Sequence, residues 1–126
     1  MSTITEEATK GLQTWGNAVA NRDMDAVLDC YVDGATLWPT LSNELRTTKP
    51  AIQNYFELFL PKINGSVEWN HINVQEINET HCVCAGTYTF DLTSGKTGAR
   101  FTYTLTKQAD GRWKILHHHS SLQVDE

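Results

Sequence analysis

The chain has 126 residues, 40% of them hydrophobic, with four Trp, four Tyr and four Phe and a formal charge of −5. This length suits one domain over residues 1–126 that buries roughly two-thirds of its unfolded surface. An acidic balance without any basic cluster excludes nucleic acid and an anionic membrane surface as main partners.

Residues 1–7 lack a basic region followed by an apolar core, so no signal peptide is expected. No run approaches the roughly 20 apolar residues of a membrane span. Thr3 and Glu6 have capping-box spacing, and Ile4, Ala8, Leu12, Trp15 and Val19 then recur with helical period. They predict a long amphipathic first helix. Asp23 caps a second helix with Met24, Val27, Leu28 and Tyr31 on its face. Asp33-Gly34 ends it, and residues 35–38 read as a short strand stopped by Pro39. A polar loop over residues 40–47 holds Arg46. Thr48 then caps a third helix that carries Pro50 in its first turn, Ile52, Tyr55, Phe56 and Phe59 as its stripe, and Pro61 at its end.

The remainder alternates with period 2. Val67 and Trp69 are in one phase and Ile72 and Val74 in the other, which predicts a bulge near Asn70-His71. A strand over residues 80–92 and a turn at Ser94-Gly95 follow. Cys82 and Cys84 share a face and read as small core residues; three cysteines fit a reducing, cytoplasmic setting. The order of elements gives an α+β fold, three N-terminal helices packed on a curved antiparallel sheet.

The last hairpin is the most informative segment. With Asp110-Gly111 as the turn, Arg100 faces Ser121, Thr102 faces His119 and Thr104 faces His117, all on one polar side. Phe101, Tyr103 and Leu105 share the other side with Ser120, His118 and Leu116. That aromatic face must be buried, either by a partner subunit or by the chain's own helices. The three consecutive histidines are split between the faces, so these neighbours alone do not form a tris-histidine site, and no metal or other cofactor is expected. His117 and His119 read as pocket lining, as hydrogen-bonding strand residues, or as two ligands lacking a third.

The layout resembles the nuclear transport factor 2-like cone. The isomerases of that superfamily carry an oxyanion-donating Tyr where this chain has Trp15. They place their general-base Asp where it has Pro39 beside Trp38, and no Asp or Glu occurs between Gly95 and Ala109. The run Asp110-Gly-Arg-Trp-Lys-Ile-Leu-His-His-His-Ser-Ser is instead similar to the end of the association (hub) domain of calcium/calmodulin-dependent protein kinase II. His117, His119 and Ser121 stand in its His-x-His-x-Ser positions. Residues 37–48, 52–57 and 86–90 resemble free-standing relatives of that domain.

The resemblance implies a non-catalytic assembly domain that pairs with itself and stacks dimers into rings of twelve or more subunits. A protein kinase or another client is the implied partner. It makes Phe101, Tyr103, Leu105, Leu116 and His118 candidate interface residues. The family's arginine-lined carboxylate pocket implies a small carboxylate ligand here, although Thr104 and Ser120 replace two of its arginines. Arg100, with Thr102, Thr104, His117 and His119, is the candidate substitute, joined by Arg46 and Tyr55. The alternative is a SnoaL-like small-molecule enzyme in which His117 or His119 is the acid/base and Arg100 stabilises an oxyanion.

Overall fold

A computed structural model of the chain describes residues 3–125. Helix α1 spans Ile4–Ala20, α2 Met24–Asp29 and α3 Lys49–Phe59; strands β1 to β5 span Tyr31–Trp38, Ile63–Asn78, His81–Leu92, Gly95–Lys107 and Trp113–Leu122. The five strands form one sheet in the order β1-β5-β4-β3-β2, with β1 parallel to β5 and every other pair antiparallel. Among the described residues no helix is long and apolar enough to cross a membrane.

The helices start where their caps predict. The hydroxyls of Thr3 and Thr48 and the carboxylate of Asp23 each accept a backbone N–H from three residues on, at 3.1, 3.2 and 3.1 Å. Arg22, at φ 54°, turns the chain between α1 and α2, and its guanidinium donates to the Ile63 carbonyl at the head of β2. Helix α1 lies across the concave side of the sheet. Trp15 is its anchor: the ring centroid is 5.9 Å from Tyr88, 5.8 Å from Tyr103 and 5.3 Å from His118. Gly16 allows this close approach, because a Cβ there would stand 3.1 Å from the Trp69 indole.

Three local expectations need correction. Tyr31 belongs to β1 rather than to α2: the Cys30 carbonyl accepts the Ile115 N–H at 2.7 Å, which draws the chain into the sheet at once. Asp33-Gly34 is a bulge inside β1, with Gly34 at φ 80° taking up the register shift between Tyr31 and Thr36. The last hairpin has a five-residue loop, since Lys107 pairs with Trp113 and the Gly111 N–H returns to the Gln108 carbonyl at 2.9 Å. A second bulge at Leu116 then shifts the register by one, so Thr104–His117, Thr102–His119 and Arg100–Ser121 pair as expected. Leu116 itself is 39% exposed, and Ile115 takes the place opposite Leu105. The bulge near Asn70 is present, with the register shifting between Trp69 and His71.

Candidate functional site: the two faces of the sheet

Alternation along β3, β4 and β5 sorts side chains to two sides. The concave side takes Tyr88, Phe90, Phe101, Tyr103, Leu105, His118 and Ser120, all buried. The aromatic face is therefore covered by the chain's own α1 and α3. Phe101, Tyr103, Leu105 and His118 are 0–3% exposed and present no surface to a partner, and Leu116 has left the face through its bulge. The reason is energetic: burying one aromatic side chain is worth about 3 kcal/mol, and an amphipathic helix two turns or longer is the nearest apolar surface.

At the centre of this interior is a directed chain of hydrogen bonds. Trp15 Nε1–H, which can only donate, reaches Tyr31 Oη at 3.2 Å. Tyr31 in turn donates to His118 Nδ1 at 2.9 Å, so the proton of the neutral imidazole sits on Nε2 and points at Tyr88 Oη, 3.0 Å away. Tyr88 donates to Ser120 Oγ at 2.6 Å, and Ser120 pairs with Thr40 at the rim. Every member of this order is satisfied only if His118 is neutral. Burial holds the imidazole well below its ordinary pKa and the phenols of Tyr31 and Tyr88 above theirs. Tyr103 stacks on His118 with centroids 3.9 Å apart, and its hydroxyl has no partner among the described residues. The space left beside Trp15, Tyr55, Tyr88 and Ser120 is about 10 Å³, room for at most a single water.

Arg46 and Tyr55 come together at the mouth. The Arg46 guanidinium lies 5.9 Å from the Tyr55 ring centre and donates to the Ala51 carbonyl and to Ser42 Oγ, each at 3.2 Å. Its Nε has no hydrogen-bond partner among the described residues. The Tyr55 hydroxyl accepts the Leu41 N–H at 3.3 Å, and burial pushes its pKa up to about 12. Backbone bonds between Leu37 and Arg46 complete the strap over residues 39–47.

The other five expected pocket residues lie elsewhere. Arg100, Thr102, Thr104, His117 and His119 occupy the outer, convex side of the sheet and do not meet Arg46 or Tyr55, because even-numbered β4 and odd-numbered β5 positions point away from α1. Thr87 pairs with Arg100 there, since the β3–β4 turn is tight. Thr36 Oγ1 is 2.6 Å from His117 Nδ1, and the Trp38 ring lies 6.4 Å from that of His119. Partial burial, then the neighbouring His119, lowers the His117 pKa. This is a surface rather than a cleft. The interior chain through Tyr31, Tyr88 and Ser120 has little signature in the sequence, because Tyr31 continues the apolar stripe of α2; the shared parity of Tyr103 and His118 is a clue to it. Elsewhere α1, α2 and the β4–β5 hairpin enclose a groove of about 670 Å³, bordered by Lys10, Cys30, Trp113 and the Asp29–Arg112 ion pair at 2.7 Å.

A family model described as the calcium/calmodulin dependent protein kinase II association domain matches residues 5–124. A solved structure from Xanthomonas campestris, described as an association domain of that kind, is 33% identical with a TM-score of 0.87, covering 99% of this chain and 91% of its own. A nuclear transport factor 2-like protein from Pseudomonas putida KT2440 (21% identity, TM-score 0.79, 99% and 91% covered) shares the fold. So does a ketosteroid isomerase-like protein from Erwinia carotovora atroseptica SCRI1043 (14%, 0.80, 98% and 100%). A search of curated proteins gives no match. By matched length, by fold and by identity, the chain belongs to the calcium/calmodulin dependent protein kinase II association-domain family.

Proposed function

We propose that the chain is a non-catalytic assembly domain that packs the outer face of its sheet against a second copy and builds a ring of twelve or more subunits from such dimers. The outer face carries this reading. Thr36, Thr87, Thr102, Thr104 and Ala85 make it smooth and weakly polar, with Arg100 in their midst. Such a face can meet its own image across a two-fold axis at the usual sheet-to-sheet spacing of about 10 Å. Membership of an association-domain family supports self-association. A protein kinase or another client is the further partner class that membership implies.

Proton-transfer chemistry has less support. His117 and His119 stand on an open convex surface beside an exposed Arg100, and His118 is engaged at both ring nitrogens. One observation favours a ligand: the Arg46 Nε, without a partner among the described residues although Glu44 lies 3.6 Å from the same guanidinium, is a donor that a small carboxylate would fit. With about 10 Å³ enclosed, such a ligand enters only if the strap over residues 39–47 lifts.

The test is Thr102→Lys, which sets a second cation beside Arg100 on a face with no acid at its centre. Repulsion across the two-fold axis lowers the assembled mass while circular dichroism stays unchanged. An unaltered mass overturns the assignment of this face.

A further inference from the structure

His117 and His119 lie two residues apart on β5, on the same outer face, with Cα atoms about 6.6 Å apart from strand rise. Thr36 Oγ1 holds His117 Nδ1 at 2.6 Å, and Nε2 has no hydrogen-bond partner among the described residues. With Nδ1–H donated to that hydroxyl oxygen, the ring is oriented as metal-bound imidazoles are by the carboxylate, carbonyl or water on their second nitrogen. His119 is exposed, and neither of its ring nitrogens has a hydrogen-bond partner among the described residues. No group of three or more His, Cys, Asp or Glu side chains in one chain is placed to hold a metal, again among the described residues. One chain thus offers two nitrogen ligands and no more.

We infer that the paired outer faces of two copies bring His117 and His119 of each together into a four-imidazole site for zinc(II) or a similar nitrogen-seeking divalent cation. This rests on the sheet-to-sheet dimer proposed above, since a two-fold axis beside β5 duplicates every ligand. Four nitrogen donors suit tetrahedral zinc, and hard cations that require oxygen ligands are disfavoured. Arg100, one pair along from the Thr102–His119 pair, is the nearby cation on the face and places the axis toward the Trp38 side of β5. The same geometry joins the copies through the metal, so zinc occupancy and dimer stability rise together.

The experiment titrates zinc chloride into tag-free, chelator-treated protein and reads stoichiometry by calorimetry and mass by native mass spectrometry. The expected result is one zinc per two chains, weakened at least about tenfold in both His117→Ala and His119→Ala. One zinc per chain, or binding that survives both substitutions, overturns the bridging site. Chelator-treated chains that assemble but bind no zinc overturn this inference and leave the assembly reading intact. Chains that stay monomeric with and without zinc overturn both.

Discussion

Replacing His118 by leucine distinguishes a structural interior from a catalytic one. The imidazole accepts from Tyr31 and donates to Tyr88 while stacked against Tyr103. Leucine fills most of the volume but leaves the Tyr31 O–H, buried with the rest of its side chain, without an acceptor. An unpaired buried donor costs about 1–3 kcal/mol and the lost bond to Tyr88 about 1 kcal/mol, so the loss at neutral pH is about 2–4 kcal/mol. That is a large part of the 5–15 kcal/mol, roughly, that holds an ordinary domain folded. The pH dependence is the sharper signature. Burial lowers the folded pKa of His118 well below its unfolded value, so the proton binds the unfolded chain more tightly. The stability held by neutral His118 is complete above about pH 6.5 and falls by up to about 1.4 kcal/mol per unit below it, until the folded pKa is reached. Urea unfolding at fixed protein concentration, at about pH 7.5 and about pH 5.5, therefore shows the wild-type advantage over His118→Leu shrinking by about 1.4 kcal/mol. A gap that is constant with pH, or smaller than about 1 kcal/mol throughout, refutes the buried neutral chain.

Two further substitutions probe the elements that shape the cone. A Cβ at residue 86 would overlap the His71 carbonyl oxygen and lie 2.9 Å from the Phe101 ring, so Gly86→Ala displaces the β2 bulge. The expected cost is about 3 kcal/mol, read as a lower thermal midpoint with the helical signal retained below it. Arg46→Met removes the donors to Ala51 and Ser42. It is expected to cost about 1–2 kcal/mol and to speed hydrogen exchange at Leu41 and Leu37 more than in β3 or β4.

The parts of this fold with local causes were legible in the chain. Thr3, Asp23 and Thr48 are caps whose side chains bond within their own turn, and the out-of-phase pairs Val67/Trp69 and Ile72/Val74 mark a bulge because period 2 tolerates no other explanation. The pairing of Thr102 with His119 was also legible, although a longer loop and a compensating bulge at Leu116 produce it in place of a tight turn. What the sequence left open depends on distant contacts. Nothing near Tyr31 reveals that the carbonyl before it bonds Ile115, more than eighty positions away. Alternation separates Arg100 and His119 from Phe101 and His118, but which set faces the helix is decided by tertiary burial, and the aromatic set has more to gain. The expected pocket therefore divided, with Arg46 and Tyr55 at the mouth of the cone and the remaining five residues on its outside.

Native mass spectrometry of the purified chain at micromolar concentration tests the central claim most directly. The account predicts a closed homo-oligomer with an even number of chains, twelve or more, that passes through dimers as it is diluted. A monomer at that concentration would contradict it and would leave the outer face of the sheet without the partner proposed for it.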